Sequence, residues 1–480
     1  MQLKSRPGEG MKSALKIATT ALFATMGHIA SAQDAGTSNS QIIDARDIMT
    51  AKSKANDTNG GSTNITGAST QPGLDFDTSL LFYQESGSRV RAIEPVINIT
   101  DTQDNGDVIS GKLTFDAVTG PTPNGAAPAT VTQNFVTPSL AQIGTTTTQT
   151  SGGSVTSVVN GLVTRTYSTP PGVLPVDAGF EDRRTALELG YTKALNRTTR
   201  LSFGGAGSSE RDYTTFSGNL GIEKDVNNKN TTLALNVNFE YDKSRPFFGT
   251  PTAFTVMSAA LKGPDDTKGE LDVVAGVTQI MTRGWLTQLN YSLSELHGYQ
   301  TDPYRIMSVV DPVSGLPSTY LYENRPRSRV RQSIYWGNKI SLGPTFLDLS
   351  GRWYHDTWGI TSITAEASDR IPISRLIYVE PHARYYHQTA ANFFQYYLTS
   401  ATALPNYATS DIRLGRFSAT TFGAQFGFKV FSSEFYIRGE YYRQTGDHHP
   451  AAVTIPALQS LDFFSGVSAV SVIAGYKFRL

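Results

Sequence analysis

Apolar and polar residues alternate with a period of two through most of this chain, and the alternation continues to its last residue. At the end of the chain every even-numbered residue is apolar: Val470, Val472, Ala474, Tyr476, Phe478 and Leu480. In residues 231–242, large apolar side chains hold the odd positions from Leu233 to Tyr241. An α-helix would scatter such residues around its axis, whereas a β-strand places them on one face. The pattern therefore predicts an all-β protein.

Segments with this alternation recur about sixteen times, within a range of roughly 14–18 strands. Most of them reach the roughly 9–11 residues that a tilted β-strand needs to cross a bilayer. The predicted strands are 74–85, 88–100, 108–118, 182–194, 199–209, 212–224, 231–242, 269–281, 284–297, 328–342, 345–356, 358–368, 373–388, 414–430, 433–444 and 466–480.

The connections between these strands are sorted by length. One set of alternate connections is short throughout, and includes the turn DRIP at 369–372. The other set holds the long connections, which are 119–181, 243–268, 298–327, 389–413 and 445–465. This sorting predicts an antiparallel up-and-down transmembrane β-barrel with short periplasmic turns and long extracellular loops. An exported array of β-sandwiches or a solenoid is the alternative, because those folds alternate as well.

The N-terminal residues predict export. Residues 11–16 form a short basic region with Lys12 and Lys16, residues 17–29 are mostly apolar, and the small residues that end at Ala32 suit signal peptidase. We expect translation to start at Met11 and cleavage to follow Ala32, so that residues 1–32 are pre-sequence and signal peptide. Residues 33–72 are rich in small and polar types, which predicts a flexible periplasmic segment. The barrel is then predicted at 73–480, in the bacterial outer membrane.

Composition narrows the functional classes. The 41 basic residues equal the 41 acidic ones, which argues against nucleic acid as a partner. The chain has no cysteine, so disulfides and thiolate chemistry are excluded. Residues 101–107 are similar to a calcium loop, but position twelve of that loop falls on Lys112. His448 and His449 are adjacent and lack a ligand spacing. We therefore predict no metal and no cofactor.

Inward-facing side chains are where a barrel's selectivity is set. Both signs of charge occur among the candidates, so the interpretation is a weakly selective aqueous passage. The alternative is that these charges pair across the lumen and hold the wall together. From the parity of each strand, the predicted lumen residues are Glu94, Lys112, Asp116, Glu240, Arg329, Arg331, Asp348, Arg352, Glu380, Arg384, Arg438 and Glu440.

Two predicted strands carry a Glu-Pro pair in their middle, at Glu94-Pro95 and Glu380-Pro381. Proline removes a hydrogen-bond donor from the ladder, so a β-bulge or local access of water is expected there. One hypothesis is that Glu94 and Glu380 project into the lumen and meet Arg384. The simpler interpretation is that each pair is a kink without a function.

The last strand carries a second prediction. Its terminal apolar residue and alternating aromatic residues are typical of the signal that the outer-membrane barrel assembly machinery recognises. Tyr476, Phe478 and Leu480 are the residues predicted to form this signal. The expected partners are this machinery and outer-membrane lipids.

Three stretches resemble an uncharacterised proteobacterial, Gram-negative family known as a domain of unknown function. They are LTFDAVTGPTPNGA at 113–126, GSSERDYTTFSGNLG at 207–221 and the closing GYKFRL. The resemblance covers roughly residues 74–480 and implies an outer-membrane β-barrel. It implies no established activity, and it carries the expectation of an envelope redox partner.

Three functions follow for such a chain. The first is a porin-like channel for small solutes, and the second is a structural or docking barrel for an envelope redox or assembly partner. The third is an outer-membrane hydrolase, with His297, His355, Asp356 and His387 as candidate groups at strand ends. No catalytic motif supports the third function, so we predict that the chain is not an enzyme.

Overall fold

A computed structural model of the chain describes residues 72–142, 155–159, 162–177, 181–246, 249–257 and 263–480. The predicted start at Met11, the cleavage site after Ala32 and nearly all of the segment 33–72 lie outside the described residues. Among the residues described, no helix is both long and apolar enough to span a membrane.

Sixteen strands form one closed antiparallel barrel, in which each strand pairs with its neighbours in barrel order. The strands are β1 (Gly73–Glu85), β2 (Arg91–Thr102), β3 (Val108–Thr119), β4 (Glu181–Asn196), β5 (Thr199–Ser209), β6 (Tyr213–Val226), β7 (Thr231–Ser244), β8 (Asp266–Thr282), β9 (Trp285–Gly298), β10 (Ser328–Leu342), β11 (Thr345–Asp356), β12 (Thr361–Pro372), β13 (Ile377–Gln388), β14 (Phe417–Val430), β15 (Ser433–Thr445) and β16 (Ser468–Arg479).

The barrel closes where the two ends of the described chain meet. β16 pairs with β1 from Asp75↔Arg479 to Glu85↔Ala469. Leu480 extends this pairing, because its backbone N–H donates to the Leu74 carbonyl at 3.0 Å and its own carbonyl accepts from Leu74 at 3.3 Å. The backbone groups of the edge strands are thereby satisfied, as a lipid-facing wall requires.

The outer face of the barrel is apolar. Side chains such as Leu189, Phe216 and Phe422 are about 60 % exposed, and they alternate along their strands with polar residues that point inward. At the end of the barrel that bears the short connections, the rings of Phe76 and Phe478 stack with their centroids 4.7 Å apart. An apolar outer band bordered by aromatic residues is typical of a transmembrane β-barrel.

The predicted fold is confirmed: all sixteen barrel strands are present at the predicted places, with shifts of a few residues at their ends. The predicted turn at 369–372 is wrong, because β12 continues to Pro372 and the turn is formed by 373–376. Ser374 explains the difference. Its hydroxyl oxygen accepts from the backbone N–H groups of Leu376 and Ile377 at 3.2 and 3.1 Å, which stabilises the turn there.

The long connections all leave one end of the barrel, which we call the loop end; the opposite end is the turn end. At the loop end the described residues form small sheets outside the barrel, which the alternation did not predict. One consists of Ile306–Val310, Pro317–Tyr322 and Leu398–Thr399, a second of Thr122–Pro123 and Val176–Asp177, and a third of Gln133–Gln142, Val155–Val159 and Leu162–Thr169.

These loops share buried apolar cores. One core joins Ala127, Val310, Val453 and Leu458, which come from the β3–β4, β9–β10 and β15–β16 connections. Because those connections start at separate places around the barrel, their loops must reach across its end to meet. We call this assembly, formed by the described parts of 120–180, 299–327, 389–416 and 446–467, the loop cap.

Candidate functional site

The predicted lumen residues lie on the face opposite the exposed apolar side chains. Glu240, for example, lies between Phe239 and Tyr241, which are 55 % and 53 % exposed and point outward. Arg438 likewise follows the exposed Ile437. Strand alternation therefore directs these charged groups to the interior.

From the loop end to the middle of the barrel, many inward charges form ion pairs between strands that are one or two places apart. Arg184 on β4 donates from its Nε to Asp116 at 2.5 Å, and Lys112 lies 2.8 Å from Glu188. Farther around the wall, Arg331 contacts Glu270, and Lys268 lies 2.9 Å from Asp242, the neighbour of Glu240 along the inner face of β7. These pairs support the alternative in which the charges hold the wall together.

Arg329 and Asp356 form a further pair near the loop end, in which the Asp356 side chain is fully buried. The Arg329 guanidinium lies 2.6 Å from Asp356 and stacks 4.2 Å from the centre of the Trp358 ring. Asp356 also accepts from the backbone N–H groups of Trp358 and Ile360, both at 3.0 Å. These hydrogen bonds from the backbone to the carboxylate stabilise the turn that connects β11 and β12. Its place in this structural network gives no support to a role for Asp356 in hydrolysis.

Toward the turn end, paired charges meet a tyrosine. Arg370 donates to Glu380 at 2.7 Å and stacks 4.1 Å from the Tyr378 ring centre. The Tyr378 hydroxyl donates to Glu434 at 2.5 Å. Asp348 lies 3.1 Å from Lys339 on the adjacent strand. Inward charges of both signs thus form ion pairs between strands at the turn end as well.

A third group lies between these levels on β11, β12, β13 and β15. His382 contacts Glu366 at 3.0 Å and Glu440 at 2.8 Å, and Arg438 donates from its Nε to Glu440 at 2.6 Å. Arg352 and Arg384 belong to the same group but differ from the other predicted lumen cations. Among the described residues, neither has a carboxylate within ion-pair distance.

The two Glu-Pro pairs interrupt the ladders without a bulge. β2 pairs with β3 at Ile93↔Ala117 and again at Val96↔Thr114, in one unchanged register. β12 and β13 show the same gap between Ser368↔His382 and Ile371↔Val379. The predicted bulge is therefore wrong. Proline removes a donor but stays extended here, so two pairs are lost while no residue is inserted.

The structure does not bring Glu94, Glu380 and Arg384 together. Glu94 lies against Asp116, whereas Glu380 is held by Arg370. β2 and β13 are five strands apart, which is about 24 Å along the wall. Arg384 follows Glu380 by four residues on the same strand, a rise of roughly 13 Å.

The loop cap contains a cluster of buried charges that the sequence analysis missed. Arg325 lies 2.7 Å from Glu323 and 2.8 Å from Asp411. Arg413 lies 2.8 Å from Asp302, so the cluster joins the β9–β10 loop to the β13–β14 loop. Glu323 and Asp411 are each 1 % exposed. We call these five residues, together with Arg305, the cap cluster.

Charge pairing sets the protonation of the cap cluster. Burial acts to raise the pKa of Asp411, but Arg413, Arg305 and Arg325 hold it well below its ordinary value. The same opposition of burial and arginines lowers the pKa of Asp302. Burial prevails at Glu323 and raises its pKa, although Arg325 opposes this. The cluster therefore fixes the loops through ionised aspartates.

The family-like run at 113–126 ends inside this assembly. Arg305 donates to the Pro123 carbonyl, and the backbone N–H of Ile306 donates to the Asn124 carbonyl at 3.0 Å. Ser410 donates to the Gly125 carbonyl at 2.5 Å. The PNGA segment thus lies between the other two loops. A signal for this core was present in the sequence, because Ile306–Val310 is a continuous, nearly apolar run inside a predicted loop.

The remaining predicted positions have simple surroundings. The imidazoles of His355 and His387 contact Thr361 and Ser418, each at 2.9 Å, and His297 contacts Glu295 at 2.8 Å. Tyr476 and Phe478 lie on the outer face beside the seam, with ring centroids 5.3 Å apart. In the part of the chain that the structure describes, no group of three or more His, Cys, Asp or Glu is arranged to hold a metal ion.

A closed sixteen-strand barrel with an apolar outer face and a charged interior defines the protein as a β-barrel of the outer-membrane type. The family described as "Protein of unknown function (DUF3570)" matches residues 13–478, and the chain belongs to it. This confirms the resemblance to an uncharacterised family. No curated protein matches the chain.

Solved barrels are similar at low identity. CdiB from Acinetobacter baumannii is 8 % identical over 84 % of this chain and 60 % of its own, with a TM-score of 0.42. A mutant of the ferric enterobactin receptor PfeA from Pseudomonas aeruginosa is 10 % identical over 78 % of this chain and 54 % of its own, with a TM-score of 0.39. OprD from Pseudomonas aeruginosa is 8 % identical over 85 % of this chain and 96 % of its own, with a TM-score of 0.36. This chain therefore spans about three fifths or less of CdiB and PfeA.

Proposed function

We propose that this protein is an outer-membrane channel for small polar solutes, with an outer mouth covered by the loop cap. In this orientation the turn end faces the periplasm and the loop end faces outward. The observation that carries the proposal is a closed barrel whose inner face is lined with charged side chains while its larger buried apolar cores lie in the loops.

The size of the barrel supports a passage. Barrels of 16–18 strands enclose an aqueous channel, whereas barrels of about eight strands are filled by their own side chains. The inward charges are mostly paired with neighbours on the wall, as Arg184 is with Asp116 and Lys339 with Asp348. Wall pairing of this kind leaves the centre of the lumen available to water and solute.

The cap supports control of that passage. The cap cluster links loops that start at β9 and β13, and Arg305 links them to the β3–β4 loop. A solute entering from outside meets this assembly first. We therefore propose that the closed cap restricts conductance and that loosening it increases conductance.

Conductance across a planar bilayer tests this function. We compare the natural protein with a Glu323→Gln, Asp411→Asn variant, which leaves Arg325 without its two carboxylate partners. We expect small, rare openings from the natural protein and larger ones from the variant. Asp265→Asn is the matched control, because Asp265 pairs with Lys243 at the loop end but both side chains are 43 % exposed.

The outcomes separate the two main functions. Ion flow that increases with loosening of the cap supports a capped channel. If the natural protein and the loosened variant are both silent while still inserted and folded, the channel is refuted. A docking barrel for an envelope partner then becomes the better interpretation. Its candidate surface is the exposed apolar side chains at the turn end, where Ile373 is 65 % exposed and Phe431 is fully exposed.

A further inference from the structure

The strand wall formed by β11, β12 and β13 presents two arginines to the lumen that lack carboxylate partners. Arg384 is exposed and Arg352 is half-buried, and both alternate with outward apolar residues. In the described residues, the other predicted lumen cations, such as Lys112, Arg331 and Arg438, each lie against a carboxylate. The two arginines therefore need a separate explanation.

The register places the two guanidinium groups within reach of one ligand. In the strand register, Arg352 lies opposite Thr364 on β12. Arg384 lies opposite Glu366, two residues farther along the same strand. Their Cα atoms are thus roughly 12 Å apart, two strands and two residues away from each other. The two groups repel one another electrostatically, and Glu366 attracts both of them without lying within ion-pair distance of either. A bound anion would relieve that repulsion.

The nearby carboxylates are already occupied. Glu366 is bound by His382, and Glu440 is bound by both His382 and Arg438. Besides His382, this region holds three arginines and two glutamates. A net positive charge therefore remains even with His382 neutral. The excess lies at Arg352 and Arg384.

Aromatic residues complete the surroundings. Arg352 lies 5.8 Å from the centre of the Tyr335 ring, which holds its guanidinium over a flat apolar surface. Tyr442 lies close enough to Arg384 for an electrostatic interaction, and its hydroxyl oxygen accepts from Gln444 at 2.8 Å. The Tyr442 hydroxyl proton is then available to donate to a ligand.

We propose that Arg352 and Arg384 form a binding site for the carboxylate or phosphate group of the transported solute. The proposal rests on the channel function and names its substrate class. Guanidinium groups donate two parallel hydrogen bonds to such oxyanions, and two unpaired guanidiniums on one wall match one small anionic group. Anionic solutes are therefore retained briefly inside the lumen as they pass.

Block of chloride current tests the site. Inorganic phosphate and, separately, acetate are added to purified channels in potassium chloride, and the concentration that halves the current is measured. We expect Arg352→Gln, Arg384→Gln to raise this concentration about tenfold for each anion, because hydrogen bonds to charged groups are lost. Arg384→Lys keeps the positive charge but loses the planar, two-pronged donor of arginine. Its half-blocking concentration should therefore lie between those of the natural protein and the double variant.

Lys112→Gln is the matched control. Lys112 is also a lumen cation, but Glu188 holds it at 2.8 Å, so its loss should leave block by both anions nearly unchanged. Block by phosphate alone would limit the site to phosphate groups, and block by acetate alone would limit it to carboxylates. The proposed site is refuted if neither anion blocks the current, or if block persists in the double variant. Either result leaves the channel function intact. Absence of current both here and in the Glu323→Gln, Asp411→Asn variant, with each protein inserted and folded, refutes the channel itself.

Discussion

Gly125 shows how one residue ties the loop cap together. Its backbone has φ +96°, a conformation that residues with a Cβ rarely adopt. An added Cβ would overlap the Ile306 carbonyl oxygen and lie 3.1 Å from the Ser410 hydroxyl. Glycine therefore allows the β3–β4 loop to pass directly between the two other loops. The sequence showed the PNGA run, but it could not show which backbone would approach it.

Gly125→Ala should loosen the cap. The left-handed backbone alone costs about 1–2 kcal/mol for a residue with a side chain, and the overlap with Ile306 adds to that cost. We expect faster hydrogen exchange at the amides of Ile306–Val310, measured by mass spectrometry on the inserted protein.

Gly172→Ala separates strain from overlap. Gly172 lies in the same loop with φ +75°, yet nothing lies within 4 Å of its added Cβ. This control should leave exchange at Ile306–Val310 near the natural rate. Equal rates in both variants would show that close packing at Gly125 does not hold the cap.

At the level of elements, the last strand both closes the barrel and carries the predicted assembly signal. Its aromatic residues face outward near the turn end, while its backbone completes the seam with β1. Period-two alternation predicted this strand well, because lipid on one side and water on the other sort its side chains. The turn at 373–376 was harder to predict, since a single hydroxyl at Ser374 decides its position.

Deletion of Phe478–Leu480 should prevent assembly. The deletion removes the pairs Phe76↔Phe478 and Asp75↔Arg479 and both hydrogen bonds between Leu74 and Leu480. Unpaired backbone groups in lipid cost several kcal/mol each, so the seam should stay open. The measurement is the heat-dependent shift in gel mobility that marks a folded, inserted barrel.

Two further variants distinguish loss of backbone pairing from loss of the aromatic side chains as the cause of failed assembly. Tyr476→Ser with Phe478→Ser keeps every backbone pair and removes the aromatic side chains, so a loss of insertion would point to recognition by the assembly machinery. Phe431→Ser removes a fully exposed aromatic side chain at the same end without touching the seam, and it should assemble normally. A normally folded deletion variant would contradict the closing role of β16.

At the level of the whole molecule, the barrel was predictable and the cap was not. Each strand is a local signal, so sixteen strands and their parity follow from short windows of sequence. The cap depends on residues that are far apart in the chain, as Asp302 and Arg413 are, and they lie in loops without periodicity. The same difference applies to the lumen: alternation predicts which charges point inward, but only the register shows that Arg352 and Arg384 lack partners.

The ionisation of the cap cluster predicts how the cap responds to pH. Asp302 and Asp411 have pKa values below their ordinary value because arginines surround them. Their contribution is present above the unfolded pKa of about 3.9 and is lost as the pH falls through the lower folded pKa. Glu323 has a raised pKa, so its uptake of a proton as the pH falls favours the folded cap.

Conductance should therefore stay low from about pH 8 to pH 5 and rise in more acidic solution, below about pH 4. Asp411→Asn removes one partner of a buried ion pair, which costs roughly 3–5 kcal/mol locally. That variant should conduct more already at pH 7 and show a weaker rise with acid. Single-channel recording across this pH range is the measurement. A cap that opens between pH 7 and 5 in the natural protein would show that groups outside the cap cluster control it.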